Sequence, residues 1–217
     1  MMDFTAAREK MVDNQIRTTD VTAHSVLNAF LAVPREAFVP AHLRALAYID
    51  EDMAVAPGRY IMEPSPLAKL LQLARIGKDD VVLEIGCGAG YATALLSHLA
   101  GSVVAVESNE TLVASATETL SSLGCDNAAV VSAELEAGYP SEAPYDLILI
   151  NGAVEEIPAG LIEQLRQGGR LVTVLGYGNS ARAVMLTRTG DSYSITEHFN
   201  AAVKPLPGFR RAAAFVF

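Results

Sequence analysis

The sequence is short of cysteine and of long apolar runs, and each shortage excludes classes of protein. Its two cysteines, Cys87 and Cys125, form neither a metal-binding spacing nor a disulfide framework. We therefore expect reduced thiols, no metal site and a cytoplasmic location. No apolar run reaches the roughly 18 residues of a membrane span, and the first residues lack the basic and apolar segments of a secretory signal. Neither a membrane protein nor a secreted one is expected.

Basic residues are also scarce. The chain has 16 Lys and Arg against 25 Asp and Glu, a formal charge of -9. Such a chain repels the phosphate backbone, so no nucleic-acid partner is expected. Charged residues make up only 19% and hydrophobic residues 51% of its 217 residues, which excludes a disordered protein. The length suits a single domain with a large core, but it does not indicate an oligomeric state.

The pattern along the chain predicts one domain, residues 1–217, in three parts. Residues 1–63 read as a helical cap and a substrate loop, residues 64–176 as a cofactor-binding core and residues 177–217 as a β extension. In the cap, Thr22 is expected to precede a helix that Pro34 ends. Residues 50–63 are expected to form a loop, followed by a helix that Ser65 caps.

The core alternates between apolar runs and amphipathic segments. Predicted strands cover residues 81–85, 103–106, 128–131, 147–150 and 170–175, and predicted helices cover 91–100, 112–123 and 161–166. β-type runs follow at 183–187, 193–196 and 212–217. This alternation predicts an α/β fold with a doubly wound, mainly parallel sheet.

A glycine loop stands where the first core strand meets its helix. Glycines at 86, 88 and 90 give the spacing G-x-G-x-G, whereas the dinucleotide fingerprint needs its third glycine where Tyr91 stands. The loop has no basic residue for a triphosphate, and Glu84 just before it would repel phosphate. S-adenosylmethionine carries a sulfonium and an ammonium instead, and its carboxylate suits a helix N-terminus. This ligand fits the charges better than a nicotinamide dinucleotide.

Polar residues at later strand ends support the same ligand. Glu107 follows Gly86 by 21 residues, a distance that suits a carboxylate bonded to a ribose diol. Glu134 follows the third strand and is a candidate partner of the adenine amino group. Asn151 ends the fourth strand, where ligands bind in such sheets, and is a candidate for the acceptor pocket. These residues predict a class I, Rossmann-like methyltransferase fold.

Further motifs between residues 10 and 176 resemble those of one family. They are residues 11–16 (MVDNQI), 33–40 (VPREAFVP), Ala47-Tyr48 with Asp50, 82–86 (VLEIG), 88–91 (GAGY) and 165–172 (LRQGGRLV). The chain thus resembles the protein-L-isoaspartate O-methyltransferases, which esterify the abnormal carboxylate of isoaspartyl residues in damaged proteins. The resemblance implies a protein-repair enzyme with S-adenosylmethionine as cofactor, S-adenosylhomocysteine as product and a peptide or protein substrate.

Together with the glycine loop, the resemblance gives a set of expected site residues. Expected cofactor contacts are Glu84, Gly86, Cys87, Gly88, Gly90, Tyr91, Glu107, Ser108, Glu134, Leu135 and Asn151. Expected catalytic residues are those of the substrate loop: Tyr60, Ile61, Met62 and Glu63.

The substrate loop departs from the family pattern. The family usually reads Gly-Gln-Thr-Ile-Ser-Gln-Pro, and residues 58–64 here read GRYIMEP. Met62 replaces the serine that is the family's expected catalytic hydroxyl, and Glu63 places a negative charge beside an ionised acceptor. Arg59 or Tyr60 would then have to position the carboxylate. Two alternatives stay open: a methyltransferase with a different acceptor, and a non-catalytic protein that binds S-adenosylmethionine.

Overall fold

A computed structural model describes residues 2–210, and its first part is the helical cap. Helix α1 spans Phe4–Met11 and continues through a π-helical turn, Val12–Ile16, and a 3-10 turn, Arg17–Thr19. Helix α2 spans His24–Ala32, and 3-10 turns follow at Arg35–Ala37 and Ala41–Leu46. The predicted helical cap is therefore confirmed, although α2 begins after Ala23 and not after Thr22.

Residues 50–63 are not simply a loop, as predicted, but contain a β-hairpin. Strand β1, Met53–Ala56, pairs antiparallel with β2, Arg59–Ile61. Gly58 lies in the turn with a φ of 69°, a conformation that favours glycine. The side chains of Met53, Arg59 and Ile61 point inward and are buried. The alternation is only three or four residues long and places an arginine on the inner face, so the pattern did not read as a strand.

The core follows as a regular series of helices and strands. Its elements are α3 Pro64–Ala74, β3 Val81–Ile85, α4 Tyr91–Leu99, β4 Ser102–Glu107, α5 Glu110–Ser122, β5 Ala128–Ser132, β6 Tyr145–Val154, α6 Ala159–Glu163, β7 Leu165–Leu175, β8 Arg182–Thr189 and β9 Ser192–Asn200. Within residues 2–210, no helix is long and apolar enough to cross a bilayer.

One seven-stranded sheet organises the core in the order β5-β4-β3-β6-β7-β8-β9. Strands β3 to β7 are parallel, and β8 and β9 are antiparallel additions. The order reverses next to β3, so the carboxyl ends of β3, β4 and β6 surround the crevice where such sheets bind ligands. The doubly wound fold and the β extension are confirmed, except that the predicted strand at 212–217 lies outside the described residues.

Two predicted boundaries are wrong. Helix α3 begins at Pro64 after Glu63, so Ser65 is already helical and is not its cap. The helix predicted over 161–166 ends at Glu163, because Leu165 pairs with Tyr145 as the start of β7. Local helical spacing was thus overridden by pairing with a neighbouring strand.

The segment after β9 returns to the carboxyl edge of the sheet. The Leu206 N–H donates to the Ala153 carbonyl at 2.9 Å, and the Ala153 N–H donates to the Lys204 carbonyl at 3.0 Å. Leu206 and Phe209 are buried in the apolar cluster on one face of β3 and β6. This C-terminal segment (residues 203–209) and the β1–β2 hairpin therefore meet over the same edge: the Pro207 side chain stands 3.3 Å from the Cβ position of Gly58.

Candidate active site

The glycine loop connects β3 to α4 in a conformation that needs its glycines. Gly86, Gly88 and Gly90 have φ angles of 80°, 57° and 92°, in the left-handed region. A Cβ on Gly86 would lie 2.6 Å from Cδ1 of Leu206. The loop therefore turns sharply, and the C-terminal segment covers its first glycine.

Glu107 ends β4 beside this loop and is fully buried. Its carboxylate accepts backbone N–H groups of Gly88 at 3.0 Å, Ser108 at 2.9 Å and Asn109 at 3.0 Å. The Arg59 Nε lies 2.9 and 3.1 Å from its two oxygens, and Arg59 Nη2 donates to Ser108 Oγ at 2.8 Å. The acid expected to bind a ribose is thus already saturated with donors and paired with a cation.

Glu84 lies below the loop, within β3, and is also fully buried. Its carboxylate accepts hydrogen bonds from Thr93 Oγ1 at 2.6 Å and from Asn151 Nδ2 at 2.9 Å. Burial raises the pKa of Glu84 to about 7, although the two hydrogen bonds oppose the rise. Asn151 lines two small cavities beside the hairpin, and Glu84 lines neither of them. A contact with the cofactor, which was expected of Glu84, is therefore available to its partner Asn151.

The substrate-loop residues lie on the hairpin and at the start of α3. Tyr60 is 37% exposed, whereas Ile61 and Met62 are each 4% exposed. Glu63 is half-buried, and its N–H donates to Asp52 Oδ1 at 3.0 Å. Tyr60 and Met62 face the glycine loop across a small cavity, but Glu63 does not line it. The predicted catalytic residues thus divide between those beside the cofactor loop and Glu63 at its margin.

The charges near this cavity are mixed. Burial raises the pKa of Asp52 and of Glu63, and for Glu63 the carboxylate of Asp52 adds to the rise. Lys204, from the C-terminal segment, opposes both shifts, and its Nζ lies 5.7 Å from the centroid of the Tyr60 ring. An anionic acceptor would therefore meet the cation of Lys204 and two acids whose pKa values are raised.

The cavity between hairpin, glycine loop and C-terminal segment has a volume of about 20 Å³, room for about one water molecule. It is lined by Asp52, Gly58, Arg59, Tyr60, Met62, Gly86, Asn151, Gly152, Lys204, Pro205 and Leu206. Of the residues expected to contact S-adenosylmethionine, Gly86 and Asn151 line it. In this conformation the cavity is too small for a nucleoside, because Arg59 is paired with Glu107 and the Leu206 side chain covers Gly86.

Other predicted cofactor contacts lie outside this cavity. Glu134 is exposed and Leu135 is buried beneath it. Cys87 is buried, and burial raises the pKa of its thiol, so it is a packing residue in this structure. Among residues 2–210, no group of three or more metal-ligating side chains comes together.

Tyr91 turns away from the crevice into the helical cap. Its ring packs edge-on against Phe30 and Phe38, with centroids 6.2 and 5.6 Å apart. The guanidinium carbon of the fully buried Arg35 lies 4.9 Å from the centroid of the Tyr91 ring. Arg35 belongs to the motif at 33–40, and the structure shows that this motif anchors the cap to α4.

Sequence reasoning missed three contributors to the site: Asp52, Lys204 and Leu206. Leu206 lies in residues 205–209 (PLPGF), which resemble the ending of the family only loosely, and Lys204 precedes them. Arg59 was noted only as a candidate clamp for a carboxylate. The carboxylate that it binds here is Glu107.

The sheet order and the glycine loop define the class of protein, a class I, Rossmann-like methyltransferase. The family model "Protein-L-isoaspartate(D-aspartate) O-methyltransferase" matches residues 6–207. A protein-L-isoaspartate O-methyltransferase of Roseiflexus castenholzii is 39% identical over 207 residues, 95% of this chain and 94% of the relative. A second, from Shewanella sediminis, is 38% identical over 94% of this chain and 84% of that protein. The chain belongs to the protein-L-isoaspartate O-methyltransferase family.

Solved structures agree with this assignment. A protein-L-isoaspartate O-methyltransferase superposes with a TM-score of 0.81 at 25% identity, over 93% of this chain and 66% of that one. A Plasmodium falciparum beta-aspartate methyltransferase in complex with S-adenosyl-L-homocysteine gives a TM-score of 0.77 over 95% of this chain and 99% of that one. At 17% identity the latter shows the fold alone. The family consists of S-adenosylmethionine-dependent enzymes that methylate proteins, so the predicted enzyme class and cofactor are confirmed for the family.

Proposed function

We propose that this protein transfers the methyl group of S-adenosylmethionine to the side-chain carboxylate of isoaspartyl residues in peptides or proteins, and that it does so in the cytoplasm. One observation carries the proposal. The hairpin that holds the family's substrate-loop positions lies directly against the glycine loop and Glu107, with Met62 and Gly86 lining the same cavity. The cytoplasmic location rests on a separate observation. Both cysteines of the protein are free and buried, which suits a reducing compartment.

The acceptor needs positioning more than activation. A carboxylate is already ionised near pH 7, since its reference pKa is about 4, and alignment alone supplies about 7–11 kcal/mol in favourable cases. We assign the cation for this task to Lys204 and the hydroxyl to Tyr60, which lie next to each other at the cavity. Met62 excludes water there but donates no hydrogen bond.

Two acids, one lining the cavity and one at its margin, work against an ionised acceptor. Asp52 and Glu63 are joined through the Glu63 N–H, and burial disfavours the charged form of each. These acids are the reason to keep a second candidate function, methylation of a neutral or basic acceptor, which would lie more favourably beside them.

The test is transfer of labelled methyl to an isoaspartyl peptide, with the normal aspartyl peptide of the same sequence as control. A base-labile label on the isoaspartyl peptide alone supports the proposal. Label on a neutral or basic acceptor, and none on the isoaspartyl peptide, favours the second candidate. Binding of cofactor product without transfer to any acceptor would refute both and leave a sensing role.

A further inference from the structure

The contact between Arg59 and Glu107 closes the cofactor site from within. Arg59 comes from the hairpin, and its side chain is only 8% exposed, whereas that of Glu107 is 0% exposed. The guanidinium also bonds Ser108 Oγ at 2.8 Å and approaches the Gly58 carbonyl at 3.4 Å. A charged pair held in one geometry at this depth persists because its remaining donors and acceptors are satisfied.

The C-terminal segment closes the same site from the other side. A Cβ on Gly86 would meet the two methyl groups of Leu206 at 2.6 and 3.0 Å, so Leu206 already fills the space over this glycine. The Pro207 contact with Gly58 and the Lys204 contact with Tyr60 join the two closing segments. A ligand that binds Gly86 and Glu107 must therefore move the hairpin and the C-terminal segment apart.

We propose that Arg59 is a latch that competes with the cofactor for Glu107. A ribose diol can donate two hydrogen bonds to this carboxylate, but it carries no positive charge. Exchanging the guanidinium for a diol therefore leaves a buried charge less well compensated. The closed conformation is the more populated one, and the apparent affinity for the cofactor is reduced by the fraction of molecules that are open.

This inference rests on the proposed function, since it takes S-adenosylmethionine as the ligand of Glu107. Its sharpest test is calorimetric titration with S-adenosylhomocysteine of the wild-type protein and of Arg59→Gln, which keeps a polar side chain but shortens it and removes the charge. Glu107 retains its three backbone donors in this variant. Arg17→Gln is the matched control, because Arg17 pairs with Asp13 on the surface of the cap.

We expect Arg59→Gln to bind about tenfold more tightly than the wild type, as it would if roughly nine-tenths of the wild-type molecules are latched, with no change in the control. A second variant, Leu206→Ala, opens the site without touching the ion pair and is expected to tighten binding in the same direction. Faster hydrogen exchange of the hairpin amides in ligand-free Arg59→Gln provides a readout that does not depend on activity.

The outcomes separate the latch from the function. Equal or weaker binding by Arg59→Gln, together with methyl transfer to isoaspartyl peptide by the wild-type protein, overturns the latch and leaves the proposed function in place. Tighter binding without any methyl transfer supports the latch and refutes the function. Binding by neither protein at millimolar ligand overturns both.

Discussion

Replacing Glu84 by glutamine should change how stability depends on pH. The Glu84 carboxyl has no exposed surface and accepts only Thr93 and Asn151, and its pKa rises from 4.5 to about 7. Between these values the folded protein keeps a proton that the unfolded chain releases. Stability that Glu84 contributes below about pH 4.5 is therefore lost as the pH rises to about 7. A glutamine at this position does not titrate.

The pKa sets the size of the effect. At about 1.4 kcal/mol per pKa unit, the rise of the Glu84 pKa corresponds to about 3 kcal/mol in the free energy of unfolding. The gain of Glu84→Gln over wild type should thus grow by about 3 kcal/mol between roughly pH 4 and pH 8. Because the chain has no tryptophan, urea unfolding is best followed by circular dichroism.

The control is Glu118→Gln on the exposed face of α5, which should show no pH-dependent gain. A difference between Glu84→Gln and wild type that stays constant from acid to weakly basic pH would refute the reasoning. So would a difference that grows toward acid, because it would mean that Glu84 is ionised in the folded protein.

Three further predictions concern the crevice. Gly86→Ala forces a φ of 80° and a contact with Leu206, so the free energy of unfolding should fall by about 1–3 kcal/mol in urea titrations. The double variant Gly86→Ala/Leu206→Ala should regain only the part of the stability that the clash with Leu206 costs, and not the part that the backbone angle costs. An unchanged urea midpoint for Gly86→Ala would contradict this geometry of the loop. Met62→Ser restores a hydroxyl and should raise kcat/KM for isoaspartyl peptide at a cost of about 2 kcal/mol in stability. An unchanged kcat/KM would show that position 62 does not meet the acceptor. Lys204→Gln should raise the KM for that peptide about two- to fivefold with kcat little changed, whereas Lys10→Gln on α1 should not; equal KM values would exclude Lys204 from the acceptor site.

The core of the fold could be predicted because its strands are apolar on both faces. Runs such as residues 81–85 and 147–150 are typical of buried parallel strands, and the glycine loop marks the turn from β3 into α4. The hairpin was missed because its strands are short and their inner face includes Arg59. The end of α6 was misplaced because strand pairing at Leu165 is not visible in local spacing.

The sequence led to a set of expected site residues, but not to the contacts that close the crevice around them. A glycine loop followed by Glu107 indicates a nucleoside ligand from spacing alone. The pairing of Arg59 with Glu107 joins residues 48 positions apart, and Leu206 reaches Gly86 from near the end of the chain. Such contacts form where segments that are far apart in the sequence meet in the fold. The periodicity of a single sequence indicates local structure and does not indicate these meetings.

A crystal structure of the protein with S-adenosylhomocysteine tests most directly whether Glu107 is the ribose ligand and Arg59 its latch. We expect a ligand whose ribose hydroxyls bond the Glu107 carboxylate, with the Arg59 guanidinium released from Glu107 and the Leu206 side chain moved off Gly86. A bound ligand with the Arg59–Glu107 pair intact, or a ligand away from the glycine loop, would contradict this expectation.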